Sequence, residues 1–514
     1  MSCSPSQKFD LVIKNGTIYD GSGGAPVKND IGIIANEIAK IGEIYPTEET
    51  KIIDAQGLAV SPGFIDLHSH LDPIMELPDA ESHVRQGVTT ALGGPDGGGP
   101  WPFGEFLDSL EKMPLGYNVG YLTGHNRIRR NVMDLENREP TTKELEEMKS
   151  QVNLAMEEGA FGISTGLKYL PGTFSKVDEV IELSKIAAMH GGIYTSHLRE
   201  EGLGLIDGVS EAILIGREAN IPIVLTHHKV VGQPMWGSSN RTLALVDSAR
   251  NAGIDVMIDQ YPYNASYTGI SILIPGWALA GGQEEFEKRM TDKVLQDSIR
   301  SGTLFNIIND RGGNDLKRVQ FAKVSWQPDL EGKTLYNWAA ELGMEPSVET
   351  GADLVLQAQL NGGASAIFFA MHDDDVENIM SHEFTMIASD GRLVKLGDAH
   401  PHPRWYGTFP RVLGLYVREK QLMKLEEAIR KMTSLPAKRM GLDDRGLIKE
   451  GYVADITIFN PETVIDMATF EEPHQYPEGI DYVIINGKVV VDDAKFTESR
   501  PGLVLRGPAF ELNK

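Results

Sequence analysis

The run Gly63-Phe64-Ile65-Asp66-Leu67-His68-Ser69-His70 constrains this 514-residue chain more than any other segment. An apolar, strand-like stretch ends in two histidines one residue apart. Side chains at i and i+2 of a strand share a face, so His68 and His70 converge on one point at the end of a core strand. Two neutral imidazoles at one point are a metal-ligand arrangement. A fold that uses them must bring further His, Asp or Glu side chains to the same end of its sheet.

Short β-branched runs that end in polar residues recur downstream: GVTTALGG, NVGYLTGH, FGISTGL, GIYTSHLR, IPIVLTHHK, DVMIDQYPY and TMIASDG. Amphipathic helical stretches, such as 176–190 and 206–219, separate most of them. Strands alternating with helices in this number predict an α/β fold, a (β/α)8 TIM-like barrel with its chemistry at the C-terminal strand ends. The candidates at those ends are His68 and His70 on the first strand, Asp96 after the second, His197 on the fifth, His227 on the sixth and Asp390 after the eighth. Four imidazoles and two carboxylates suffice for one or two divalent ions, and a nitrogen/oxygen set suits zinc. Asp96 is the carboxylate best placed to bridge two cations about 3.5–4 Å apart. Asp390 is placed to take a proton from an activated water and pass it to a leaving amine. His228 faces away from His227 along a strand and reads as packing. His125, ending the third run, is a candidate for the layer behind the ligands or for substrate contact. His402, ahead of Pro403-Arg404, reads as a residue that positions its loop.

The segments DLVIKNGTIYD (10–20) and DYVIINGKVVVD (481–492) resemble each other. Asn15-Gly16 and Asn486-Gly487 each read as a hairpin turn. The two chain ends are therefore expected to build one small β domain, residues 8–60 plus 440–510, beside a barrel of residues 61–439. Between Tyr263 and Phe384 the chain is too long for one strand–helix unit. The charged, helix-like stretch at about 283–345 reads as an insertion, of the kind that caps a barrel mouth. Leu273-Ile274-Pro275-Gly276-Trp277-Ala278 carries no charge, which favours a neutral over an acidic substrate side chain there.

The 48 basic and 73 acidic side chains leave a net charge of −25, which argues against nucleic acid or an anionic membrane as partner. No apolar run approaches the ~18 residues of a membrane-spanning helix. The single cysteine, Cys3, excludes a disulfide scaffold and a thiolate metal cluster. The opening Met1-Ser2-Cys3-Ser4-Pro5-Ser6 reads either as a polar tail on a cytoplasmic protein or as what remains of a lipoprotein signal, with Cys3 anchoring a periplasmic protein.

Beyond these local signals, SPGFIDLHSHLD, GVTT, STGLKYLPG, GGIYTSHLREEG, the THHK run, DQYPYNAS, IASDG and HPRWYGTFPRVLG occur in this order along the chain. In this combination the chain resembles the amidohydrolase superfamily and, within it, the D-aminoacylase (N-acyl-D-amino-acid deacylase) group. The resemblance implies a barrel flanked by a sandwich of both chain ends, and zinc held by His68, His70, His197 and His227, with Asp390 as acid/base. It implies that Lys229, Tyr261 and Arg404 meet the substrate's α-carboxylate, a pairing suited to ammonium and guanidinium groups, and that Tyr169 lines the pocket. One position departs from the group's pattern: its metal-binding cysteine after the GVTT strand corresponds here to Asp96. A harder oxygen ligand there favours two well-occupied metals bridged by carboxylate, or another divalent ion such as manganese. Other branches of the superfamily bridge with a carboxylated lysine, for which Lys168 is the candidate. The implied reaction is hydrolysis of a small-molecule N-acyl-D-amino acid to a carboxylate and a free D-amino acid. A dipeptidase, a cyclic-amide hydrolase or a lactonase would use the same metal frame. A degenerate barrel kept for binding would need a broken site, yet every ligand position holds a competent residue.

Overall fold

The β-branched runs become one series of parallel strands in the computed structural model, which describes residues 8–512. Cys3 and the alternatives attached to it lie outside the described residues. Phe64–Asp66 pairs with Val88–Gly93, and Val88–Gly93 with Asn118–Tyr121, all parallel. The chain continues into Thr123–Gly124, from which parallel pairing passes through Gly162–Gly166, Ile193–His197, Ile223–Leu225 and Val256–Gln260 to Thr385–Ile387. Just past these last residues, Gly391 pairs with Ser69 and Arg392 with His70, so the pairing returns to the first strand. Ile65, Leu92, Val224, Met257 and Met386, contributed by strands all along the series, pack into one buried cluster.

Helices follow the expected periodicity. The stretches read at 176–190 and 206–219 form Val177–Met189 and Leu205–Ala219. In the second, Leu205, Val209, Ala212, Ile215 and Ala219 recur at three- and four-residue spacing and are buried, which presents one apolar stripe to the sheet. Thr142–Glu157 starts at a capping box, Thr141 with Glu144, which satisfies two otherwise orphaned N–H groups.

The chain ends meet in two sheets. Ala59–Pro62 pairs antiparallel with Ile456–Phe459 in a seven-stranded sheet, and Leu11–Lys14 lies in a separate four-stranded one. Asn486-Gly487 is the expected hairpin turn, with φ of 48° and 75° between Ile480–Ile485 and Lys488–Asp492. Asn15-Gly16 is not a hairpin. Leu11–Lys14 pairs with Asp30–Ile34 and Lys51–Asp54, while Thr17–Ile18 pairs with Val27–Lys28 and Ala59–Pro62, so the dipeptide carries the chain from one sheet to the other. A Cβ on Gly16 would lie 2.5 Å from a Val60 methyl, which explains glycine at a corner rather than in a turn.

Between Val256–Gln260 and Thr385–Ile387 lies an additional layer, wider than the 283–345 stretch. Its antiparallel sheet of Ser266–Gly269, Val319–Lys323 and Ser365–Phe368 brackets helices Gln283–Thr291, Lys293–Asn309, Leu335–Glu341 and Val348–Leu360. Among the described residues no helix is long and apolar enough to cross a membrane.

Candidate active site

Three acidic or imidazole side chains at the strand ends sit on backbone that L-residues rarely adopt: Asp96 at φ 56°, His227 at 37° and Asp390 at 46°. Such conformations persist only where the surroundings hold them. Asp390 N donates to His68 O at 3.0 Å. The preceding Ser389 donates from N (2.9 Å) and from Oγ to buried Asp66, and Gly391 N donates to Ser389 Oγ at 2.8 Å. His227 N donates to Asp259 Oδ1 at 2.6 Å. The Asp96 loop is pinned by Ser164, whose Oγ donates to Gly94 O and accepts from Gly97 N. Gly94 has φ 73°, and a Cβ there would lie 2.4 Å from Leu122 O.

The side chains so placed form two groups that share Asp96: His68, His70, Asp96 and Asp390 in one, Asp96, His197 and His227 in the other. Asp96 Oδ1 lies 3.5 Å from His68 Nε2 and 3.3 Å from His227 Nε2. Its Oδ2 lies 3.6 Å from His70 Nε2 and 3.7 Å from His197 Nδ1. Asp390 Oδ1 is 3.1 Å from His70 Nε2 and 3.6 Å from His68 Nε2. Ligand atoms ~2.0–2.1 Å from a tetrahedral ion stand roughly 3.3–3.4 Å apart; the carboxylate–imidazole distances here bracket that value, while His197 Nδ1 and His227 Nε2 stand closer, at 2.7 Å. His68 Nε2 and Asp96 Oδ1 are buried without hydrogen-bond partners. Orphaned polar atoms of this kind are costly unless something else engages them, and a divalent cation fits both the chemistry and the spacing.

The far nitrogens point to carboxylates. His68 Nδ1 faces Asp259 Oδ2 at 3.6 Å, His197 Nε2 faces Glu201 Oε2 at 3.6 Å, and His227 Nδ1 faces Glu201 Oε1 at 3.3 Å. At these distances the contacts are not hydrogen bonds: His68 Nδ1, Asp259 Oδ2 and His197 Nε2 have no hydrogen-bond partner among the described residues, and His227 Nδ1 has Lys229 Nζ at 2.6 Å, but the carboxylates stand where metal-binding histidines characteristically have theirs. Glu201 also binds Lys229 Nζ at 2.5 Å and Arg311 Nη2 at 2.9 Å. Burial would raise the Glu201 carboxyl, but Lys229 and His197 hold it well below the usual range. Burial lowers Lys229 even with Glu201 beside it. Burial likewise works to raise Asp390, yet the Arg404 guanidinium and the His70 hydrogen bond keep it far below an ordinary carboxyl, so it is ionised at neutral pH.

Beside the two groups lies a cavity of about 560 Å³. Lys229, Tyr261, Arg404 and Tyr169 all line it. Arg404 Nη1 lies 3.0 Å from Asp390 Oδ2, and its guanidinium sits 4.5 Å from the Tyr261 ring centroid. Arg404 Nε and the Tyr261 hydroxyl are buried without hydrogen-bond partners. Tyr169 packs its ring 4.4 Å from that of His197, with its hydroxyl bonded to Thr268.

Other expectations resolve differently. His125 opens helix His125–Met133, and its Nε2 is 2.8 Å from Glu179, which also binds Arg129. It therefore belongs to a buried ion-pair network and not to the cavity. Lys168 pairs with Glu200 at 2.8 Å and touches none of the cluster histidines, so it bridges nothing there. His228 turns to Thr242 as expected for packing. His402 accepts from Arg404 N at 3.0 Å and so fixes the segment that carries Arg404. Leu273–Ala278 does not line the cavity; Ser266–Gly269 does, because the insertion sheet places that strand at the mouth. Sequence reasoning missed Asp259, Glu201 and Arg311. Asp259 lies one residue before the end of the strand Val256–Gln260 and was as visible as its neighbours. Glu201, four residues past His197, carried a weaker signal. Arg311 reaches Glu201 across 110 positions and carried none.

Residues 331–491 match the amidohydrolase family. The chain is 36% identical to a D-aminoacylase of Alcaligenes xylosoxydans xylosoxydans over 98% of its own length and 99% of that protein's. Among solved structures it resembles N-acyl-D-glutamate deacylase from Bordetella bronchiseptica, complexed with zinc and a phosphonate mimic of the tetrahedral intermediate. The TM-score is 0.83 at 33% identity, covering 98% of this chain and 100% of that one. A D-aminoacylase studied for its binuclear metal centre gives a TM-score of 0.82 at 34% identity, covering 97% and 100%.

Proposed function

The chain belongs to the amidohydrolase family and, within it, to the D-aminoacylase group, and on that premise we propose that it is a zinc-dependent deacylase of N-acyl-D-amino acids. It releases a carboxylate and a free D-amino acid. The observation that carries the reading is the pair of His/Asp groups sharing Asp96, set against the unpaired Arg404 Nε and Tyr261 hydroxyl in one cavity. The returning strand series and its single interior cluster support a (β/α)8 barrel, with a β-sandwich of both chain ends beside it.

His68, His70, Asp96 and Asp390 would hold one ion, and Asp96, His197 and His227 the other. Bound there, zinc supplies a Lewis acid for the acyl carbonyl and makes hydroxide available near neutral pH. The residues do the rest. Asp390, kept ionised by Arg404, accepts a proton from the attacking water and delivers it to the amide nitrogen as the C–N bond breaks. Asp259 and Glu201 stand beside the far nitrogens of His68, His197 and His227, where they would back these imidazoles as metal ligands. Arg404 and Tyr261 take the α-carboxylate, while Lys229, engaged by Glu201, completes a positive wall.

Metal content measured alongside hydrolysis of paired N-acyl-D- and N-acyl-L-amino acids tests the reading. Zinc with D-selective amine release is expected; a full metal complement with turnover only on dipeptides, cyclic amides or lactones would reject it. Tyr261→Phe tests the carboxylate site. A hydrogen bond to a charged group is worth about 1.5–3 kcal/mol, so KM should rise about 10- to 100-fold with kcat little changed. The same rise on α-carboxamide analogues would show that Tyr261 does not meet the carboxylate.

A further inference from the structure

We propose that the cavity holds a distinct acyl subsite, walled by Leu71, Trp101, Phe106 and Tyr121, and that the preferred substrates carry an aromatic or extended apolar acyl group much larger than acetyl. The proposal rests on the deacylase reading and deepens it.

The two sides of the cavity differ in chemistry. Lys229, Tyr261 and Arg404 follow the sixth, seventh and eighth parallel strands and supply cations and a hydroxyl. Leu71, Trp101, Phe106 and Tyr121 belong to the segments that close the first, second and third strands, and each is apolar or aromatic; Asp72 and Arg127 from the same segments also line the cavity and add one charge of each sign. An amide whose α-carboxylate sits on the first side, with its carbonyl at the histidine cluster, directs its acyl chain to the second. Chain connectivity reinforces this: Leu71 directly follows His70, and Trp101 lies on the loop that carries Asp96.

Leu71, Tyr121 and Phe106 form a contiguous stretch of this wall. The Phe106 and Tyr121 rings meet edge to face at 5.2 Å. The Tyr121 ring and the Leu71 side chain both lie over Gly93, where a Cβ would come within 2.6 Å of one and 3.1 Å of the other. Tyr121 and Leu71 are buried, while Trp101 and Phe106 are only half-buried, leaving aromatic surface facing the cavity. The cavity as a whole, cluster and cationic side included, is also larger than an N-acetyl-amino acid. The cavity of about 560 Å³ would hold roughly nineteen waters at ~30 Å³ each, against about twelve heavy atoms in N-acetyl-leucine.

The test compares N-acetyl-, N-octanoyl- and N-phenylacetyl-D-leucine on the zinc-loaded protein, with Trp101→Ala, Phe106→Ala and the milder Phe106→Leu as variants. Metal content and circular dichroism confirm that each variant is folded. One well-buried methylene changes kcat/KM by about 10-fold or more, so each larger acyl group should exceed acetyl by at least about tenfold. Trp101→Ala and Phe106→Ala should cut that ratio by about tenfold. Phenylacetate should also inhibit more tightly than acetate, a binding readout independent of turnover. Preference for acetyl, or an equal loss on all acyl groups in the variants, would overturn the subsite and leave the deacylase reading intact. No hydrolysis of any N-acyl-D-leucine, with neither carboxylate binding, would overturn both.

Discussion

Asp390→Asn should lower kcat by about 10³-fold, roughly 4 kcal/mol of barrier, while the protein keeps its metal. The amide preserves the shape of the carboxylate and can still offer an oxygen toward His70 and His68, which lie 3.1 and 3.6 Å from Oδ1. It cannot accept and return a proton. Arg404 loses its ion-pair partner in the variant, so its donors become more available to the substrate carboxylate, and KM should fall or hold while kcat collapses. That split distinguishes loss of a proton carrier from a general loosening of the site, in which KM would rise as kcat fell. Single-turnover rates measured beside metal analysis decide the matter; near-normal kcat would remove Asp390 from proton transfer.

Asp96→Ala should have an effect of similar size by a different route. Asp96 is the only residue common to both groups, and its two oxygens face four imidazoles. Burial alone would raise its carboxyl, but His227 and His68 hold it well below the ordinary range, so it enters the site as a negative charge. Without it neither group keeps a shared anionic ligand. Metal content after dialysis should drop by at least one ion per chain, and turnover should fall by about 10²-fold or more. Unchanged stoichiometry would show that each ion is held without a bridge from Asp96. Excess zinc restoring full activity would show that Asp96 sets affinity but takes no part in the chemistry.

Much of this site could be read from the chain because its ligands end strands. His68, His70, His197 and His227 each follow a β-branched run, where a polar residue on an apolar background stands out, and the 3.6-residue spacing of 206–219 marked a helix between two of them. Asp390 stood out for the same reason. Turn chemistry was less reliable. Asn-Gly supplies positive φ wherever the chain needs it, so the same dipeptide makes a hairpin at 486–487 and a sheet-to-sheet corner at 15–16. The difference lies in a Val60 methyl packed against Gly16, which local sequence does not encode. His125 misled because a histidine after Thr-Gly looks the same whether it ends a strand or opens a helix; Glu179, 54 residues on, decides. Arg311 and the insertion sheet were invisible for a related reason. Four-residue strands such as Ser266–Gly269 and Ser365–Phe368 are too short for alternation to show, and their pairing is set by contacts far along the chain.

The pairing of Gly391 with Ser69 also governs when the protein can first become active. His70 and Asp390 are 320 positions apart, and the Ala59–Pro62 strand waits for Ile456–Phe459 before its sheet is complete. During synthesis the early histidines emerge as an open, unfinished sheet edge, and contacts of such long sequence separation form slowly. A metal ion that binds only the finished cluster then stabilises the closed chain over every partly made one. Its supply during growth would consequently set how much of the nascent protein reaches the closed state.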